Sequence, residues 1–178
     1  MDALDLDRDR RDFLAHPAHS LGLPALFYGS LRAPEIFEVV IGRALGDADH
    51  EHVQLEGYEL SHVLAGGEFP GIFPSADAGL LDCIMVRGLT WAETLRVAWY
   101  EWPEYKLGQF TLTDGRVAQA FVPDIDALRR EHGAIDFRPW DYDAWRRDNL
   151  TAALPGAHDW MSQMPDLAPL VGPKAATG

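Results

Sequence analysis

One cysteine is all this 178-residue chain contains, so Cys83 has no partner for an internal disulfide and no zinc site of several thiolates can be built. No apolar run approaches the roughly 18 residues that a membrane-spanning helix needs. Positive charge is also scarce. The 15 Lys+Arg residues face 28 Asp+Glu, a formal net charge of −13. That balance argues against nucleic acid or an anionic membrane as partner, since both select a basic face. The acidic start, with Asp2, Asp5, Asp7, Asp9 and Asp12 among Arg8, Arg10 and Arg11, has neither the basic opening nor the apolar stretch of a signal peptide. The expected address is therefore the cytoplasm. Internal repeats, low-complexity tracts, a His-Glu-x-x-His pair and a Walker or Rossmann phosphate loop are all missing.

What is present is a globular mixture, since 47% hydrophobic and 24% charged residues set the chain apart from disordered sequences. The length suits one domain with a core of its own. We expect an acidic extension over residues 1–23, the domain over 24–160, and a flexible tail rich in Pro, Ala and Gly over 161–178. All six tryptophans (Trp91, Trp99, Trp102, Trp140, Trp145 and Trp160) lie in the second half, an asymmetry that packing or a binding surface explains equally well.

The first clear element is Pro24-Ala25-Leu26-Phe27-Tyr28, a strand-like apolar run that stops at Gly29-Ser30. Pro34 suits a helix start, with Ile36, Phe37, Val40, Ile41 and Ala44 at helical spacing and Gly46 as the stop. Residues 50–64 read as strand broken by Gly57, while Gly66-Gly67 and Pro70-Gly71 read as turns. Leu80 to Val86 is a further strand. Thr90-Trp91-Ala92-Glu93 has the form of a capping box opening a helix with Trp91, Leu95, Ala98, Trp99 and Trp102 on one face. A hairpin follows across Asp114-Gly115, then helical stretches over residues 124–132 and 141–153. Without regular strand-helix alternation, this order predicts an α+β fold.

Two places invite chemistry. The Tyr28-Gly29-Ser30-Leu31 loop joins a strand to a helix, where unpaired N–H groups suit a carboxylate or a developing oxyanion. An ordinary strand-to-helix turn reads the same way. Glu101 sits roughly 100° from the centre of its helix's apolar stripe, at the margin between core and solvent. Hemmed in by Tyr100 and Trp102, it suits a general base with a raised pKa; a surface glutamate near a helix end is the alternative, and Glu104 is the competing carboxylate. Ser30 lacks the Gly-x-Ser-x-Gly elbow of a nucleophile, and Cys83 reads as a buried, inert thiol. His50, His52 and His62 have no metal-ligand spacing and read as solvated or core-paired, so no metal is expected.

Taken together, these pieces resemble the γ-glutamylcyclotransferase-like family. Phe27-Tyr28-Gly29-Ser30-Leu31-Arg32 is similar to that family's opening strand and Tyr-Gly-Ser/Thr-Leu-Arg loop, and Leu55-Glu56-Gly57-Tyr58 to its Leu-x-Gly-Tyr strand. Pro70-Gly71-Ile72 resembles its Pro-Gly-Ile/Val turn, and Tyr100 to Tyr105 falls where the family has its catalytic glutamate followed by a tyrosine. The resemblance spans about residues 26–122. It implies a compact mixed β-barrel with peripheral helices and a cofactor-free reaction: cyclisation of a γ-glutamyl amide to 5-oxoproline and a free amine. Glu101 would be catalytic; Tyr28, Gly29, Ser30, Leu31 and Tyr105 would bind the small γ-glutamyl substrate, with Arg32 and Trp102 as further contributors. Three positions depart from the family: Val97-Ala98 stands for Leu-Asp, and Trp102 for the glycine after the glutamate. An indole there would reshape or fill the pocket. The alternatives are a non-catalytic binding protein of the same fold and a Ser30-dependent amide hydrolase.

Overall fold

Successive side chains of a strand point to opposite faces of its sheet, and strand β1 (Ala25–Phe27) is buried on both. Ala25 and Phe27 pack among helices, whereas Leu26 packs on the other side with Val53, Leu55, Ile72 and Met85. The chain is therefore layered: helices, a five-stranded sheet, then a smaller sheet. A computed structural model describes residues 3–15, 22–64, 68–133 and 135–168.

The five-stranded sheet has the order β2 (His50–Glu56), β5 (Leu80–Val86), β1, β7 (Val117–Pro123), β6 (Tyr105–Thr111), with β1 and β7 parallel and the other pairs antiparallel. The second sheet has the order β4 (Glu68–Pro74), β3 (Tyr58–Leu64), β8 (Asp136–Pro139), all antiparallel. The α+β class holds. The compact mixed β-barrel that the resemblance implies is not closed: among the described residues no ladder joins the two sheets. Where β4 packs against β7, β4 carries Pro70 and Pro74 and β7 ends on Pro123, and proline supplies no N–H for a ladder. Side chains meet there instead. A Cβ on Gly71 would lie 2.5 Å from Pro123 Cγ, so the close approach of β4 and β7 requires glycine.

The helices are α1 (Ala3–Ala15), α2 (Pro34–Ile41), α3 (Trp91–Tyr100), α4 (Ile125–His132), α5 (Tyr142–Asp148) and α6 (Leu150–Ser162). The capping box of α3 is complete: Thr90 Oγ1 accepts from the Glu93 N–H at 3.2 Å, and Glu93 Oε2 accepts from the Thr90 N–H at 2.7 Å. Helix α2 stops four residues before the expected Gly46, because Gly42 takes the left-handed φ of 89° and its N–H closes on the Glu38 carbonyl. Pro70-Gly71 is not a turn but part of β4, and Gly66-Gly67 lies outside the described residues. The single helix expected over 141–153 is two, α5 and α6, separated at Asn149.

Helix α1 occupies the segment expected to be an acidic extension. Its Phe13 is fully buried, edge-on to Trp99 (5.2 Å) and Trp102 (5.7 Å). Arg10 Nε donates to the Gln163 carbonyl at 2.8 Å, tying α1 to the chain after α6. Helix α6 runs past the expected boundary at residue 160 and buries Met161. Trp99 and Trp160 stack at 4.8 Å, and each indole N–H donates to the other residue's carbonyl, at 3.2 and 3.0 Å. No helix among the described residues is long and apolar enough to cross a membrane.

Truncating a buried phenylalanine costs about 3–5 kcal/mol, whereas a change in a detached extension costs within about 0.5 kcal/mol. Phe13→Ala is expected to lower the urea unfolding free energy by the larger amount.

Candidate functional site

A cavity of about 850 Å³ opens between β1, the α3–β6 turn and α6. Four of its walls matter for chemistry. The first is the loop after β1. Gly29, Ser30 and Leu31 line the cavity, and Ser30–Arg32 form one 3-10 turn that leads into α2. The N–H groups of Arg32 and Ala33 close on the carbonyls of Gly29 and Ser30. Those of Gly29, Ser30 and Leu31 have no acceptor among the described residues. Three uncommitted donors at one mouth suit an anionic oxygen. Pro70 holds the loop in place, since a Cβ on Gly29 would touch its ring at 3.0 Å.

The second wall is the α3–β6 turn. Glu101 is not on the helix flank but caps its C-terminus, its N–H bonded to the Val97 carbonyl at 3.0 Å and its carbonyl accepting from the Tyr105 N–H at 3.2 Å. Its carboxyl lines the cavity and meets no hydrogen-bond donor among the described residues. The tyrosines around it are committed elsewhere. Tyr28 donates to the Phe121 carbonyl and Tyr105 to the Pro70 carbonyl, each at 2.7 Å, while the Tyr100 and Ser30 hydroxyls pair at 3.3 Å. That last contact ties the Gly29–Leu31 loop to the residue before Glu101.

Desolvation, with a smaller contribution from the Glu104 charge, pushes the Glu101 carboxyl up to about 8. The negative end of the α3 dipole opposes ionisation there as well. Burial also raises the hydroxyls of Tyr28 and Tyr105 well above their ordinary range and that of Tyr100 to about 12, so all three are neutral near pH 7. Burial thus poises the Glu101 carboxyl of this cavity to exchange a proton near neutrality.

The sequence-selected residues Tyr28, Gly29, Ser30, Leu31, Glu101, Trp102 and Tyr105 all line this cavity. Arg32 does not: its guanidinium lies over the Tyr142 ring, 4.0 Å from the centroid. The positive side chain in the cavity wall is Arg8, from α1. Trp102 lines the cavity, with its ring T-shaped to Phe13 at 5.7 Å. Val97 and Ala98 are buried in the helical core. Cys83 is buried in β5, with its thiol raised to about 12. His50 and His52 are neighbours on β2 (6.0 Å between rings), whereas His62 packs near Trp140 (6.3 Å). Among the described residues, no three His, Cys, Asp or Glu come together as metal ligands.

Sequence reading missed the remaining walls: Trp140 and Trp145 from the β8–α5 region, and Ala152, Ala153, Gly156 and Ala157 of α6. The helical spacing of the four small residues places them on one face, a signal legible once α6 is recognised as a helix. The tryptophans gave no periodic signal.

Glu101 has a definite thermodynamic sign. Its folded pKa of about 8 lies above the ordinary 4.5. Between these values the unfolded state releases the proton while the folded state keeps it, so stability falls with rising pH and levels off above about 8. Glu101→Gln is expected to match the parent's Glu101 contribution near pH 4 and to exceed its stability by on the order of a few kcal/mol at pH 9. Urea titrations of both proteins across this range check the divergence; parallel curves would contradict it.

No known family pattern matches the chain, and no curated protein sequence matches it. In structure it is similar to the solution structure of At3g28950.1 from Arabidopsis thaliana, at 20% identity over 88% of this chain and 91% of that one, with a TM-score of 0.50. At5g39720.1 from the same plant matches at 20% identity over 79% and 91%, with a TM-score of 0.47. The crystal structure of c4763, a uropathogenic E. coli-specific protein, matches at 14% identity over 70% and 93%, with a TM-score of 0.44. The first of these likenesses supports the α+β fold and nothing beyond it.

Proposed function

We propose that this protein cyclises γ-glutamyl amides, releasing 5-oxoproline and a free amine. The observation that carries this reading is the pairing, in one cavity, of an unpartnered and desolvated Glu101 carboxyl with the uncommitted N–H groups of Gly29, Ser30 and Leu31. The motifs of the γ-glutamylcyclotransferase-like family fall on those same residues.

Such a substrate carries its own nucleophile, so the site needs a base, an anion cradle and a shape that holds the chain curled. The Glu101 carboxylate takes a proton from the substrate's α-ammonium. The freed nitrogen attacks the side-chain amide carbon, closing the five-membered ring, while the loop N–H groups hold the oxyanion or the α-carboxylate. The carbon–nitrogen bond to the leaving amine breaks as Glu101 returns the proton to that nitrogen. The ring nitrogen's extra proton passes through the carboxylate to the departing amine, which leaves as ammonium, and Glu101 is ionised again. No water is consumed. Enforced proximity of amine and carbonyl supplies several kcal/mol of the barrier reduction.

A carboxyl with a pKa near 8 suits this shuttle, because it accepts and returns a proton with little bias near neutral pH. The substrate's ammonium beside it favours the ionised form and lowers that pKa in the complex. Ser30, whose hydroxyl pairs with Tyr100 rather than a histidine, lacks the base that the hydrolase alternative needs. The cytoplasmic address belongs to the same proposal.

Incubation with γ-glutamyl amides, followed by mass spectrometry, is expected to yield 5-oxoproline. The rising limb of kcat/KM should have its midpoint near pH 8, and that of kcat should lie lower. Glu101→Gln is expected to lose about 10²–10⁴-fold in kcat. Full turnover by Glu101→Gln would remove the glutamate from the mechanism.

A further inference from the structure

The cavity is much larger than a glutamyl group requires. Its volume of about 850 Å³ lies within the roughly 300–1,000 Å³ of pockets that enclose drug-sized ligands, whereas a glutamyl group has only about nine non-hydrogen atoms. The surplus has a distinct chemistry. Four indoles contribute to the wall: Trp102 from the α3–β6 turn, Trp140 and Trp145 from the β8–α5 region, and Trp160 from α6. Beside Trp160, α6 presents Ala153 and Gly156, side chains too small to occupy the space they face. Trp140 and Trp145 pack at 5.7 Å with their rings tilted by 35°, and Trp160 is fixed against Trp99. These rings are held by the fold, so the space between them is preformed.

The carboxylates lie at another part of the wall, whereas His62 and Asn149 are polar neighbours of Trp140 and Trp145. Glu101 and Glu104 share one turn, against the end where the substrate's ammonium must sit. A second cation on the leaving amine would compete with that ammonium for the same carboxylates. An aromatic ring meets no such conflict and gains from edge and face contacts with the indoles.

We infer that the preferred substrate carries an uncharged, aromatic group on its leaving amine, seated between the tryptophans and the small-residue face of α6. This rests on the γ-glutamyl cyclisation reading and names the other half of its substrate. Binding energy from that remote ring holds the reacting half in place.

Three amides test it: γ-glutamyl benzylamide, methylamide and 4-aminobutylamide. All three release alkylamines, so leaving-group chemistry is nearly matched and the pocket decides. The benzylamide is expected to exceed both others in kcat/KM by about tenfold or more. Equal or better turnover of the methylamide or the aminobutylamide overturns the inference. Gly156→Leu supplies the second variant: a Cβ at this position meets nothing within 4 Å, and leucine is the better helix former. The added side chain should reduce the benzylamide-to-methylamide preference about tenfold; an unchanged preference overturns the seat on α6.

Calorimetric binding to Glu101→Gln separates this inference from the reading beneath it. Tighter binding of the benzylamide than of the methylamide, with no amide cyclised by the parent protein, sinks the cyclisation and keeps the aromatic seat. Cyclisation of all three at equal efficiency does the reverse.

Discussion

The reciprocal pair of Trp99 and Trp160 holds the site together. Each indole donates to the other residue's carbonyl while the rings stack, so α3 and α6 are locked in both rotation and register. Phe13 of α1 packs edge-on against the same Trp99, which is fully buried. Buried indole N–H groups are costly unless satisfied, and this arrangement satisfies both with main-chain oxygens. Two residues after Trp99, α3 ends and the chain turns at Glu101. The lock therefore sets where the carboxyl emerges, and it also sets the α6 face that closes the opposite wall of the cavity.

A second constraint is electrostatic. The chain carries a net charge of −13, yet the proposed substrate brings a carboxylate of its own. Arg32, the cation adjacent to the loop in sequence, is spent on the Tyr142 ring. Backbone is what the turn after β1 offers an anion: three N–H groups that meet no acceptor among the described residues. Neutral dipoles can hold a carboxylate without adding a full positive charge, which would pull the Glu101 pKa down. The same design keeps Glu101 desolvated and its surrounding tyrosines neutral, leaving the carboxyl near 8 rather than in the ordinary carboxylate range. Under the proposed function, an acidic protein would hold an anionic substrate through local geometry rather than overall charge.

Much of this was legible in the sequence where the signal is local. The capping box at Thr90, the strand before the Gly29 loop, the hairpin across Gly115 and the buried Cys83 each follow from neighbouring residues. The pairing of the Tyr28–Leu31 loop with Glu101 came instead from the resemblance of the motifs to the γ-glutamylcyclotransferase-like family, and both line the cavity. The failures have a common cause, which is that tertiary contacts decide them. Helix α1 is a charged segment stabilised by one buried ring, Phe13, and by Arg10 bonding to Gln163, 153 positions away. Pro70-Gly71 looks like a turn, but the glycine is there to let Pro123 approach and the proline to brace Gly29. Arg32 was read from its place beside the loop, although a ring supplied by α5 captures it. The open barrel, too, reflects prolines whose effect depends on which strands meet.

The central claim is that the attacking nucleophile comes from the substrate, with Glu101 moving the proton. Turnover of a γ-glutamyl amide in ¹⁸O-labelled water tests it most directly, because cyclisation incorporates no solvent oxygen and hydrolysis must. Unlabelled 5-oxoproline, formed in step with the released amine, is the predicted result. Glutamate carrying ¹⁸O in its side-chain carboxylate would contradict it and point to a water-derived nucleophile.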